Sequence, residues 1–99
     1  MERTERTLVT IIAERILRER VLEGIRSVGA RGYTLTEVIG EGTSHISAHE
    51  WEGPSIKVDT LVSDEVAEQI VDLIADRFFR HHSIIIYTSR VQVLRGDRF

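Results

Sequence analysis

The residues best suited to chemistry in this chain lie close together, in the stretch GEGTSHISAHEW over 40–51. Glycines on either side of Glu41 leave backbone N–H groups that an anion such as phosphate can approach without a side chain intervening, and Thr43, Ser44 and His45 add hydroxyl and imidazole donors. Taken alone, a G-x-G of this kind reads first as turn geometry, because glycine adopts conformations closed to other residues. His45 and His49, four apart, would suit a metal ion on a helix, but they stand in a Gly- and Ser-rich stretch with no evident third ligand, so no metal is expected. Trp51, the only tryptophan, is either an anchor for a partner or a group that packs the segment onto its own subunit. No Ser/His/Asp constellation or paired carboxylates stand out, and the chain has no cysteine for a thiolate ligand or nucleophile.

The elements that must hold this segment follow from periodicity. TLVTIIA (7–13) is β-branched and apolar and predicts a strand; AERILRERVLEGIRSVG (13–29) predicts a helix, with Leu17, Val21, Ile25 and Val28 on one face and Gly29 and Gly32 as its stop. The charges of ERILRER read as its solvated face. YTLTEVI (33–39) is a second strand, closed by Gly40 and Gly42. Residues 40–55 show no sustained period, include three glycines and the only proline, and predict a long loop of the kind that is usually functional or disordered. IKVDTLV (56–62) is a third strand. Ser63 as N-cap, with Asp64 and Glu65 in an acidic first turn, opens a second helix carrying Val66, Ile70, Ile74 and Phe78. That helix should end near Arg80, with His81 and His82 either capping its negative pole or contacting a ligand. SIIIYTSRVQVL (83–94) is a fourth strand.

The order β-α-β-β-α-β predicts an α+β, ferredoxin-like sandwich with both helices on one face of the sheet. Yet TLVTIIA and IIIY are apolar at odd and even positions alike, the pattern of strands covered on both sides. In a chain of 99 residues, a second copy of the same chain is the economical cover, so a homo-oligomer is expected. Lys and Arg total 13 against 16 Asp and Glu, a net charge of −3, which lacks the footprint of a nucleic-acid binder. No apolar run approaches the roughly 18 residues of a membrane span. A cytoplasmic protein, not inserted in a membrane, is expected.

The glycine-fenced second strand resembles that of the PII signalling proteins through Gly32, Thr34, Thr36, Glu37, Val38, Gly40 and Gly42. The resemblance runs on through PSIKVDTLVSDEVAEQIVDLIADRF and VQVLRGDRF, so it spans almost the whole chain as one PII-like domain over 1–99, with a T-loop at about 40–55. It is greatest to the PII-like branch linked to inorganic carbon, the SbtB and carboxysome-associated group, whose GYT strand start, glycine-flanked loop entrance and VLxGxxF ending are similar to Gly32-Tyr33-Thr34, 40–42 and 93–99 here. The resemblance implies a homotrimer with its sheets facing the centre, binding adenine nucleotides between subunits and signalling through the T-loop. By position, Thr34 would face the adenine. Gly40, Glu41, Gly42, Thr43, Ser44 and His45, with Ser83 and Ile84, would line the nucleotide, and Arg95 would reach the phosphates from the neighbouring subunit. Gly42, His45 and Arg95 are the candidates for bicarbonate. The implied protein partner is a bicarbonate transporter or a carboxysome-related protein.

Departures from the pattern sharpen these expectations. Typical members carry a glycine-rich loop with a lysine for the outer phosphates of ATP, where this chain has RHHSIII. Glu41 replaces a lysine common in the carbon-linked relatives, and Ser44 and Ser47 replace arginines. With positive charge missing, AMP or ADP is expected to bind in preference to ATP. The loop is shorter than the usual T-loop and contains no tyrosine, so uridylylation is not expected. Among other classes, acylphosphatase chemistry needs an asparagine and the chain has none. An RNA-binding sheet needs exposed aromatics on its central strands, where TLVTIIA and IKVDTLV offer none. An enzyme is therefore not expected, and the alternative is a metal-binding trimer of the CutA kind on the same fold.

Overall fold

The computed structural model describes residues 2–40 and 54–95. The elements run β1 (Arg3–Glu14), a single 3-10 turn (Arg15–Leu17), α1 (Arg18–Ser27), β2 (Thr34–Ile39), β3 (Pro54–Val62), α2 (Asp64–Phe78) and β4 (Ile85–Leu94). One sheet of four antiparallel strands in the order β2-β3-β1-β4 carries both helices, which is the ferredoxin-like arrangement predicted from the order of elements.

Alternation along the strands decides what each face holds. Val9, Ile11 and Ala13 of β1 and Ile56, Val58 and Val62 of β3 point to the helices and are buried against Leu17, Val21, Leu22, Ile25, Ile70, Ile74 and Phe78. The helix stripes read from sequence are thus the core, with Val28 and Val66 packed at its margin. The helices approach closely at Gly24, where an added Cβ would lie 2.8 Å from Cδ2 of Leu73.

Element ends are set by local hydrogen bonds. Ser63 caps α2 by accepting from the amide of Val66 at 3.3 Å, as its type and place predicted. Past Phe78 the chain leaves the helix, and the backbone amides of His81 and His82 both donate to the Phe78 carbonyl. The C-terminus is thus closed by backbone, while the His82 ring rests edge-on against Phe78. Gly29, at φ +116°, takes the left-handed conformation that ends α1, and the amide of Ala30 donates to the Ile25 carbonyl. Gly32 shows no such φ, so the helix stop belongs to Gly29 alone. The long loop is shorter than the predicted 40–55 at its far end, because Pro54 and Ser55 already pair in β3.

Register places two rows of side chains on the face opposite the helices. Thr34, Asp59, Thr10 and Tyr87 form one, and Thr36, Lys57, Ile12 and Ile85 the next. The predicted apolar character holds for Leu8, Ile12, Ile85 and Tyr87, but the centre is polar. Thr10, 1% exposed, donates to Oδ1 of Asp59 at 2.6 Å, and Nζ of Lys57 lies 3.8 Å from Oδ2 of the same carboxylate.

Candidate functional site

β2 delivers the first part of the candidate site. Its residues 34–39 alternate between the two faces, so Leu35 packs at the core margin while Thr34 and Thr36 stand on the open face, Thr34 directly beside Asp59. The approach to β2 is pinned from β3, since Thr60, itself 2% exposed, donates to the Gly32 carbonyl at 2.6 Å. A cleft of about 370 Å³ opens beside this attachment, its lining including Gly29, Gly32, Val62, Val66, Arg6 and Arg31. Sequence reading passed over Arg6, Arg31 and Asp59. Counting alternate residues from Val58 would have put Asp59 on the face of Thr34, whereas Arg6 comes near only through strand pairing.

Gly32 and Gly40 carry a second signal. A Cβ at either would enter open space, and neither has the positive φ that demands glycine. Among the described residues nothing therefore requires glycine at these two positions, in contrast to Gly24 and Gly29.

The remaining candidates are widely spaced. Gly40 follows β2, and Ser83 and Ile84 precede β4, so all three lie at the same end of the sheet but on opposite edges. Three strand spacings separate those edges, about 14 Å. Ile84 packs its side chain at the core margin, which leaves its backbone for any ligand. Arg95 follows the end of β4, where Leu94 pairs with Arg3, at the other end of the sheet. Eleven residues of β1 separate the levels of Arg3 and Glu14, so Arg95 is about 35 Å from the Gly40 end. The chain brings Thr34 near Gly32 and Asp59, and it does not bring Arg95 near Gly40. Arg95 is exposed and takes φ 68°, a left-handed turn for a residue with a Cβ. Glu41, Gly42, Thr43, Ser44 and His45, with His49 and Trp51, lie outside the described residues. No group of three or more His, Cys, Asp or Glu able to hold a metal occurs among the described residues.

Electrostatically, the most developed cluster lies away from these positions, where α2 begins beside β1 and β4. Asp64 accepts from the Thr7 hydroxyl at 2.5 Å and from Nη1 of Arg90 at 3.0 Å on both oxygens, while Nη2 of Arg90 reaches Glu5 at 3.0 Å. The Thr7 hydrogen bond first, then the Arg90 hydrogen bond and charge, hold the Asp64 carboxyl below its ordinary range. Its partners are used up within the cluster, so it serves the junction of α2 with the sheet.

Comparison with known proteins places this geometry. The chain is similar to a putative PII-like signaling protein from Thermus thermophilus, at 39% identity and a TM-score of 0.86 over 100% of this chain and 99% of that one. CPII from Thiomonas intermedia K12, a nitrogen regulatory PII-like protein bound to ADP, AMP and bicarbonate, shares the fold at 21% identity and a TM-score of 0.79, over 96% of this chain and 99% of its own. Nitrogen regulatory protein GlnK of Escherichia coli K12 is 30% identical over 76 residues, 69% of this chain and 68% of GlnK. The family model described as Nitrogen regulatory protein P-II matches residues 6–98, nearly every residue from the first sheet strand onward, and the chain therefore belongs to the P-II family of regulatory proteins.

Proposed function

We propose that this chain is a PII-like regulator whose homotrimer binds adenine nucleotides in clefts between subunits, takes AMP or ADP in preference to ATP, and couples their binding to bicarbonate. The observation that carries this reading is the separation of the candidate residues. Gly40 and Arg95 stand about 35 Å apart along one sheet. They can meet at one ligand only if a neighbour contributes its Arg95 to the Gly40 end of the next subunit. The two glycines that no contact among the described residues requires support the same reading, since bare backbone admits a phosphate or a ribose that a Cβ would keep away.

In this reading Thr34 faces the adenine, 40–45 with Ser83 and the backbone of Ile84 surround the phosphates, and Arg95 of the neighbour clamps them with its fork of donors. Bicarbonate sits by Gly42, His45 and Arg95, where it meets the nearest phosphate and needs those donors to offset like charge. A shorter, less charged nucleotide leaves it more room. The ligands known for CPII, ADP, AMP and bicarbonate, support the choice. The domain spans 1–99 and works in the cytoplasm, and its T-loop carries the signal to a bicarbonate transporter or a carboxysome-related partner, as in the carbon-linked SbtB branch. The CutA-like alternative has no observation in its favour, because the family match is to P-II.

Calorimetry of the purified protein with AMP, ADP, ATP and cyclic AMP, each with and without bicarbonate, tests the proposal. Bicarbonate should tighten AMP or ADP more than ATP, and the nucleotide should tighten bicarbonate by the same factor. Absence of binding by any adenine nucleotide, with an intact trimer, would overturn it.

A further inference from the structure

We propose that Lys57 and Asp59 pair across the subunit boundary and fix the register in which the sheets of the trimer meet, an inference that rests on the trimeric reading above. Both side chains rise from β3 on the face without helices, two residues apart, among Leu8, Ile12, Ile85 and Tyr87. Within the chain they are poorly matched: Nζ of Lys57 is 3.8 Å from Oδ2 of Asp59, at the outer limit of an ion pair. Oδ1 is already taken by Thr10 at 2.6 Å, which fixes the carboxylate from beneath. Among the described residues Lys57 donates no hydrogen bond, so its ammonium keeps the donors that a second carboxylate would use.

Covering this face with another copy removes water from both charges. A buried charge without a good partner is strongly destabilising, whereas a hydrogen-bonded pair in one register escapes that cost. Apolar residues alone would let two such faces slide, and a lone polar contact in an apolar interface is a well-attested device for setting register. The face is complementary to itself, one cation beside one anion. Around a three-fold axis, Lys57 of each subunit can meet Asp59 of the next, and the ring closes.

The test mixes two variants, Lys57→Glu, which leaves only acids at the two positions, and Asp59→Lys, which leaves only bases. Differently tagged and prepared free of nucleotide, they should each assemble poorly and together form mixed trimers almost exclusively, in excess of the roughly three quarters that random equimolar mixing gives. Arg18→Glu mixed with Glu19→Lys, a charge pair on the outer surface of α1, should show no such excess. Should either variant fail to fold by circular dichroism, the wild-type protein decides the matter: ¹⁵N-labelled and unlabelled subunits are mixed and treated with a zero-length carbodiimide. A 57–59 cross-link joining labelled to unlabelled peptide supports the proposal, and same-label links alone, or no such link, overturn it. Light scattering of the wild type separates the two levels of argument. A monomer at micromolar concentration removes the trimer itself, whereas a stable trimer with statistical mixing removes only the role of Lys57 and Asp59.

Discussion

Among the described residues, Asp64 is a carboxylate that the fold favours in its charged form. Its carboxylate is favoured in the folded chain by Thr7 and Arg90, so its folded pKa lies below the unfolded value. The stabilisation is complete above the unfolded carboxylate range and fades as pH falls through the folded pKa. Asp64→Asn should accordingly lower Tm at pH 7, and the difference from wild type should shrink below about pH 4, as followed by thermal melts across pH. Gly40 makes the opposite kind of residue-level case. A Cβ there meets nothing among the described residues, so Gly40→Ala should leave Tm unchanged while weakening ADP binding in calorimetry. For Arg95, loss of a hydrogen bond to a charged phosphate predicts that Arg95→Ala weakens AMP and ADP by about 1.5 to 3 kcal/mol, with light scattering of the assembly unaltered. An unchanged dissociation constant would take Arg95 out of the site.

At the scale of elements, strong periodicity was legible in the sequence and context-dependent ends were not. Both helix stripes and the Ser63 cap followed from spacing and residue type, because a 3.6-residue repeat and a capping hydroxyl act locally. β1, by contrast, begins at Arg3, four residues before the apolar run, since the polar RTER segment pairs with the end of β4. α1 starts at Arg18, after strand and 3-10 turn have claimed residues that continue its spacing. For the candidate site, the residue types at 34 and 40 could be read directly, but the distance to Arg95 depends on β4 running antiparallel to β1, which no local pattern encodes. The crossing of the helices at Gly24 was equally hidden, as it requires knowing that Leu73 lies opposite. Gly24→Ala places a methyl 2.8 Å from Leu73 Cδ2 and should cost about 1 to 3 kcal/mol if Leu73 cannot turn aside. Urea denaturation measures this, and the double variant with Leu73→Ala should be relieved of the clash.

On the scale of the whole molecule, Gly40 and Arg95 stand at opposite ends of one sheet, and in the proposed trimer a ring of such strips would bring those unlike ends together. The separation of Gly40 from Arg95 then has a genetic consequence. A protein made only of Gly40→Ala subunits has every cleft damaged on one side, and one made only of Arg95→Ala subunits has every cleft damaged on the other. Co-expressed, they assemble around the same three-fold axis, and wherever an Arg95→Ala subunit offers its intact Gly40 to the Arg95 of a Gly40→Ala neighbour, one undamaged cleft reappears. Every mixed trimer contains one such junction, so two defective alleles should complement each other, and native mass spectrometry should find one tightly held nucleotide per mixed ring. If the site lay within a single chain, no combination of the two alleles would recover any binding.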